Sequence, residues 1–161
     1  MSSKLDSDLF KKALYLLLDE TFENVQGIYL DKGTSFFETL ATISAEEASI
    51  PVGGQCATLA AQVKHTAFYL DVLERNVRTQ QFNPVDWGEI WREVTAVSPQ
   101  EWQAIQDELR DSYGKIKQLI HDTPAWPNER VIGGAMATIV HTAYHLGEIR
   151  QALCSLQQQP A

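Results

Sequence analysis

His141-Thr-Ala-Tyr-His145 is the segment whose residue types and spacing point most directly to chemistry. Histidines at i and i+4 of a helix leave the same face, about 5–6 Å apart at Cβ, and two imidazoles so placed can meet one metal ion. The same pair also suits a helix surface or a packing seam. Two features favour a ligand role. Gly134, Thr138 and Ala152 share that side of the helical wheel and leave room beside the pair. His65 falls on the apolar side of an earlier helical stretch, among Ala61, Phe68, Tyr69 and Val72. Three of the chain's 4 histidines then enter one interior. Unpaired imidazoles are costly there, and a shared divalent ion satisfies all three. Three neutral imidazoles with a fourth position open to water or substrate match a catalytic-type site.

Competing sites fail against the letters. A di-iron bundle needs Glu-x-x-His pairs, but the residues three before the histidines are Gln62, Gln118, Thr138 and Thr142. A zincin protease needs His-Glu-x-x-His, and Thr142 stands where its glutamate belongs. The chain has no C-x-x-C-H haem attachment, no P-loop, no G-x-G-x-x-G and no G-x-S-x-G. No general base is assigned: Glu148 neighbours the pair on the wheel but reads as a surface charge. His121, in His-Asp-Thr-Pro at a helix end, reads as a partner of the C-terminal dipole. Cys56 lies near a helix start, where the dipole can lower a thiol pKa, yet a small buried residue is the simpler reading. Trp87, Trp91, Trp102 and Trp126 read as packing residues, one or two of them lining a cleft.

The elements that must carry these residues are helical. Residues 8–22 place Phe10, Leu14, Leu17 and Leu18 at helical spacing, and residues 28–43 repeat Leu30, Gly33, Phe37, Leu40 and Ile43. Gly27 and Gly33 leave open whether the second stretch is two helices or one broken one. Ser44-Ala-Glu-Glu47 has capping-box form and opens a short turn. Pro51, Gly53 and Gly54 form a loop, after which residues 55–78 read as a long helix. Its charged arc is Lys64, Asp71, Glu74, Arg75 and Arg78. Residues 79–97 read as a long connection holding one short helix, packed down by its two tryptophans. Ser98-Pro-Gln-Glu101 starts a helix that runs to about His121, and the last helix spans about 131–157 before a polar tail. No alternating run demands a strand. The fold class is therefore all-α, an antiparallel four-helix bundle with a long crossover.

Composition bounds the rest. One domain accommodates 161 residues, and 44% hydrophobic with 21% charged residues is ordinary globular usage. The formal net charge of -8 argues against a nucleic-acid partner and against docking to an anionic membrane. No apolar run approaches the roughly 18–20 residues of a membrane span, and no signal peptide is evident. Two distant cysteines, Cys56 and Cys154, exclude a disulfide framework and suit a reducing cytoplasm.

Three segments together resemble the DinB-like superfamily of metal-binding helical bundles. They are His65 in Gln-Val-Lys-His-Thr-Ala-Phe-Tyr-Leu, Asp86-Trp87 in the crossover, and His141-Thr-Ala-Tyr-His145-Leu-Gly-Glu-Ile-Arg-Gln, with Gly147 and Ile149 after the second histidine. The resemblance covers about residues 28–156 and leaves 1–27 as an N-terminal extension of a single domain, 1–161. It implies a metal at one end of the core held by His65, His141 and His145, with zinc or nickel as the ion. It also implies a homodimer acting on a small molecule. Some members are S-transferases dependent on a low-molecular-weight thiol, bacillithiol or mycothiol, and one branch isomerises maleylpyruvate. The expected function is thus a metal-dependent thiol S-transferase or a related hydrolase. The alternatives are a noncatalytic metal- or small-ligand-binding bundle and a stress-related interaction protein whose histidines only pack.

Overall fold

A computed structural model describes residues 6–52 and 56–157. Among the described residues there are seven helices and no strand: α1 (Ser7–Phe22), α2 (Phe36–Leu40), α3 (Ala45–Ala48), α4 (Leu59–Thr79), α5 (Glu89–Glu93), α6 (Pro99–Asp122) and α7 (Glu129–Gln157). Their starts are written locally. Ser44 with Glu47 and Ser98 with Glu101 form the expected capping boxes. Ser35 with Glu38 forms a third, at α2. Asp6 and Thr58 cap α1 and α4 by accepting backbone N–H bonds. Gln80 ends α4 in the left-handed conformation, with φ 56.

Four long helices share one apolar core. α1 contributes Leu14, Leu18 and Phe22, α4 Leu70, α6 Leu109 and Ile116, and α7 Leu146 and Ile149. The N-terminal helix, which the sequence reading set apart as an extension, is therefore built into this core. Its direction follows from its bonds to α6. Lys11 Nζ donates to the His121 carbonyl and Tyr15 to the Lys117 carbonyl, both at 3.0 Å, while Phe22 stacks on Tyr113. As one number rises the other falls, so α1 and α6 are antiparallel.

α4 and α6 run the other way. Lys64 pairs with Glu108, Asp71 with Lys115 at 2.9 Å, and Arg78 with Asp122 at 3.4 Å. Both members advance by seven residues per rung, so these neighbours are parallel. The expectation of antiparallel packing fails at this pair. A parallel return needs a chain long enough to travel back along about 30 Å of helix, and residues 80–98, carrying α5, are that crossover. α7 is antiparallel to α4, since His65 meets His145 while Tyr69 meets His141.

Residues 28–35 are not helical, against the expectation of a helix over 28–43. The cause is Glu20, fully buried on α1. Its carboxylate accepts N–H bonds from Gln26, Ile28, Tyr29 and Leu30 at 2.8–3.1 Å. Those N–H groups are taken from any helix, and Gly27 and Gly33 at φ +80 turn the chain on either side. Gly53 and Gly54 of the expected loop, and the tail beyond Gln157, lie outside the described residues. No described helix is long and apolar enough to cross a membrane.

Candidate metal centre

The antiparallel seam between α4 and α7 is what assembles the histidines. α4 presents His65 and Tyr69 one turn apart, and α7 presents His145 and His141 one turn apart in the opposite sense. Ring centroids lie 4.9 Å apart for His65–His145, 5.3 Å for His65–His141 and 4.5 Å for His141–His145. One nitrogen from each ring falls within 4.8 Å of the other two. His65 and His145 are buried and His141 is half-buried. Three imidazole nitrogens this close can hold a metal ion.

The electrostatics suit a cation. Burial pushes the His65 imidazole down to about 4, with a contribution from His145, and does the same to His141 with contributions from His145 and His65. His145 is also lowered by burial, with the nearby Glu148 opposing. All three rings are therefore neutral near pH 7, the form that donates a lone pair. The Nδ1 atoms of His65 and His141 are buried with no hydrogen-bond partner among the described residues. Each such orphan costs about 1–3 kcal/mol, and a divalent ion at the cluster matches this donor set.

Glu148, expected as a surface charge, lies one turn along α7 with Oε2 2.9 Å from His145 Nδ1. A carboxylate only accepts, so Nδ1 carries the proton and Nε2 keeps its lone pair. Tyr69 stacks on His141 at 3.6 Å and 10°, fixing the plane of that ring. The residue numbers alone contain both signals, at i+3 from His145 and i+4 from His65.

The crossover roofs the cluster. Trp91 of α5 stacks on His65 at 4.5 Å, and Trp87 meets His65 edge-on at 6.2 Å while resting on Phe68 and Tyr69. Asp86 steadies this turn by accepting from the Gly88 N–H at 2.9 Å and from Arg92 at 2.5 Å. Two of the four tryptophans thus line the site. Trp102 packs inside and donates to the Ile43 carbonyl, and Trp126 packs edge-on against Phe10.

The remaining candidates lie elsewhere. His121 is exposed in the last turn of α6, where the dipole reading put it. Cys56 and Cys154 are both exposed, against the expectation that Cys56 is buried. Cys56 precedes the first residue of α4 by three positions and so misses the core that begins at Leu59. Comparison of the chain with protein-family models, with curated proteins and with solved structures gave no match.

Proposed function

We propose that this protein is a divalent-metal protein of the DinB-like kind, a four-helix bundle with up-down-down-up helix directions. In this reading His65, His141 and His145 hold one zinc or nickel ion. The observation that carries it is the convergence of three neutral imidazoles, two with orphaned buried nitrogens and the third braced by Glu148. The reaction proposed is transfer of a low-molecular-weight thiol to a small electrophile, with hydrolysis as the related chemistry.

A bound divalent ion supplies Lewis acidity that lowers the pKa of a thiol or water beside it. The chain's own residues do the rest. Glu148 holds His145 in the tautomer that leaves Nε2 available. Tyr69 holds the plane of His141. Trp87 and Trp91 exclude bulk water from the His65 side, which strengthens every electrostatic interaction beneath them. A cytoplasmic setting supplies the reduced thiol. A homodimer is part of the proposal, and Met136, Val140 and Tyr144 support it. They are 51%, 65% and 61% exposed at i, i+4 and i+8 of α7, an apolar stripe open to a second copy.

A noncatalytic metal site is the second reading, favoured by the depth of His65 and His145, only 7% and 6% exposed. One experiment separates the outcomes. Metal content is measured on tag-free protein reconstituted with zinc or nickel, for the parent and His141→Ala. The expected result is about one ion per chain in the parent and little in the variant. The loaded parent is then incubated with bacillithiol and a reactive electrophile. Metal-dependent conjugation supports the transferase. Stoichiometric metal with no conjugation across several thiols and electrophiles leaves the noncatalytic site, and no metal in the parent removes both.

A further inference from the structure

His65 and His145 are almost sealed, so a hydrated ion or a small substrate reaches them only if part of the surrounding wall moves. The walls are held in different ways. α4 and α7 are 21 and 29 residues long, and their Leu70, Leu146 and Ile149 are parts of the shared core. The wall over His65 is the stretch 83–94, which carries only the five residues of α5. Within it Ile90 alone is buried.

The polar bonds of this stretch close on themselves. Asp86 accepts from the Gly88 N–H and from Arg92, the Glu89 N–H donates to the Asp86 carbonyl at 3.3 Å, and the Val94 N–H to the Ile90 carbonyl at 3.0 Å. Among the described residues, none outside the stretch shares a hydrogen bond or an ion pair with it. The ties to the body lie just beyond its two ends. On one side the left-handed Gln80 donates its N–H to the Asn76 carbonyl at 2.9 Å, and Arg130 lies over the Phe82 ring, 4.5 Å from the centroid. On the other, Thr58 donates to the Thr95 carbonyl at 3.3 Å and the Val97 N–H to Ser49 at 2.9 Å.

Ile90, the half-buried Val94 and the rings of Trp87 and Trp91 are therefore what hold 83–94 down, and the two tryptophans are themselves 42% and 37% exposed. A segment with so little buried apolar surface and no hydrogen bond to its neighbours opens locally far more often than a core helix does. We propose that residues 83–94 are a lid, hinged beside Phe82 and Thr95 and latched by Ile90, which swings off His65 to admit the ion and the small substrate; the ion's part in this rests on the metal reading above. Trp87 and Trp91 travel with it as the cover, so the cluster is shut off from bulk water only while the lid is down.

The first test uses the metal-free full chain and diethyl pyrocarbonate at pH 7, with modification of each histidine read by mass spectrometry. His121, 75% exposed, is the internal reference. His65 should react slowly in the parent. Ile90→Ala keeps both tryptophans but loosens the latch, and should speed modification of His65 about tenfold while His121 is unchanged. Asp86→Ala unties the turn at an exposed position and should act in the same direction without touching the core. In the second test, zinc uptake and zinc release to excess chelator are followed by stopped flow. A gate sets rates and not the equilibrium, so Ile90→Ala should speed both about tenfold and hold Kd within about threefold. Unchanged reactivity of His65 in both variants overturns the lid, and so do unchanged zinc rates in Ile90→Ala. Faster exchange in Val140→Ala but not in Ile90→Ala puts the entry on the α7 face and overturns it too. A parent that takes up no zinc, but whose His65 reactivity still responds to Ile90→Ala, keeps the lid and removes the metal reading.

Discussion

The bond from His145 to Glu148 is the most informative single contact at the residue scale, because it assigns a tautomer as well as a position. Its removal leaves the ring in place but free to turn. Glu148→Ala should therefore weaken zinc binding about 10–100-fold, read by competition with a chromophoric chelator, and Glu148→Gln should recover part of that loss. Unchanged affinity in Glu148→Ala would assign the glutamate to the surface after all. The histidines also set a pH dependence in the metal-free protein. His65 and His141 are held at about 4, below the ordinary 6.5. The unfolded chain thus binds more protons between those values, and stability falls as pH drops from 6.5 toward 4. Urea unfolding across that window should show the decline, with a shallower slope in His141→Ala. Sequence spacing places His141 and His145 on one face, and His65 on an apolar one. It carries the Glu148 and Tyr69 positions too, but i+3 and i+4 neighbours exist around every helical residue, so spacing assigned neither of them a role at the site.

Among the elements, the segment after α1 shows how one buried side chain overrides a periodic pattern. Burial alone would raise the Glu20 carboxyl. Bonds from the N–H groups of Tyr29, Leu30, Ile28 and Gln26 outweigh it and hold the group at about 2. The sign is opposite in origin to the histidine case but acts in the same direction. The unfolded glutamate, at 4.5, takes up protons first, so this contribution is present above pH 4.5 and is lost as pH falls toward 2. Glu20→Gln replaces one acceptor oxygen by a donor facing the Gln26 or Leu30 side of the loop. It should lower the melting temperature at pH 7 and flatten the acid limb. Hydrogen exchange should quicken at Ile28, Tyr29 and Leu30 while the amides of α6 stay protected. Equal protection of the loop in the variant would show that Glu20 does not hold it. Leu30, Phe37 and Leu40 do face inward as the pattern requires. Hydrophobic spacing reports burial, and in 28–35 the burial is achieved by a loop tied at Ile28, Tyr29 and Leu30 to a carboxylate eight to ten residues before them.

For the whole molecule, the core from Leu14 to Ile149 is continuous without the histidine cluster. Folding and metal binding should therefore be separable. Chelation should leave helical circular dichroism intact, and an ion at about 100 times its Kd should raise the melting temperature by roughly 5–10 °C. Collapse of the helices on chelation would instead make the site a structural one.

Local chemistry in the chain is enough for the helices and their caps, because a capping box or an i, i+4 pair is complete within one turn. The all-helical class and the three metal-site candidates follow from that. The direction of α6 relative to α4 does not. Lys64, Asp71 and Arg78 alternate in sign, and so do Glu108, Lys115 and Asp122. Such a pattern is complementary in either direction, so charge could not choose. Tertiary packing chose the parallel alignment, which sends residues 80–98 back along the body and lays Trp87 and Trp91 over His65. The meeting of His65 with His141 and His145 was decided there as well, since residues some eighty positions apart come together only through the packing of α4 on α7.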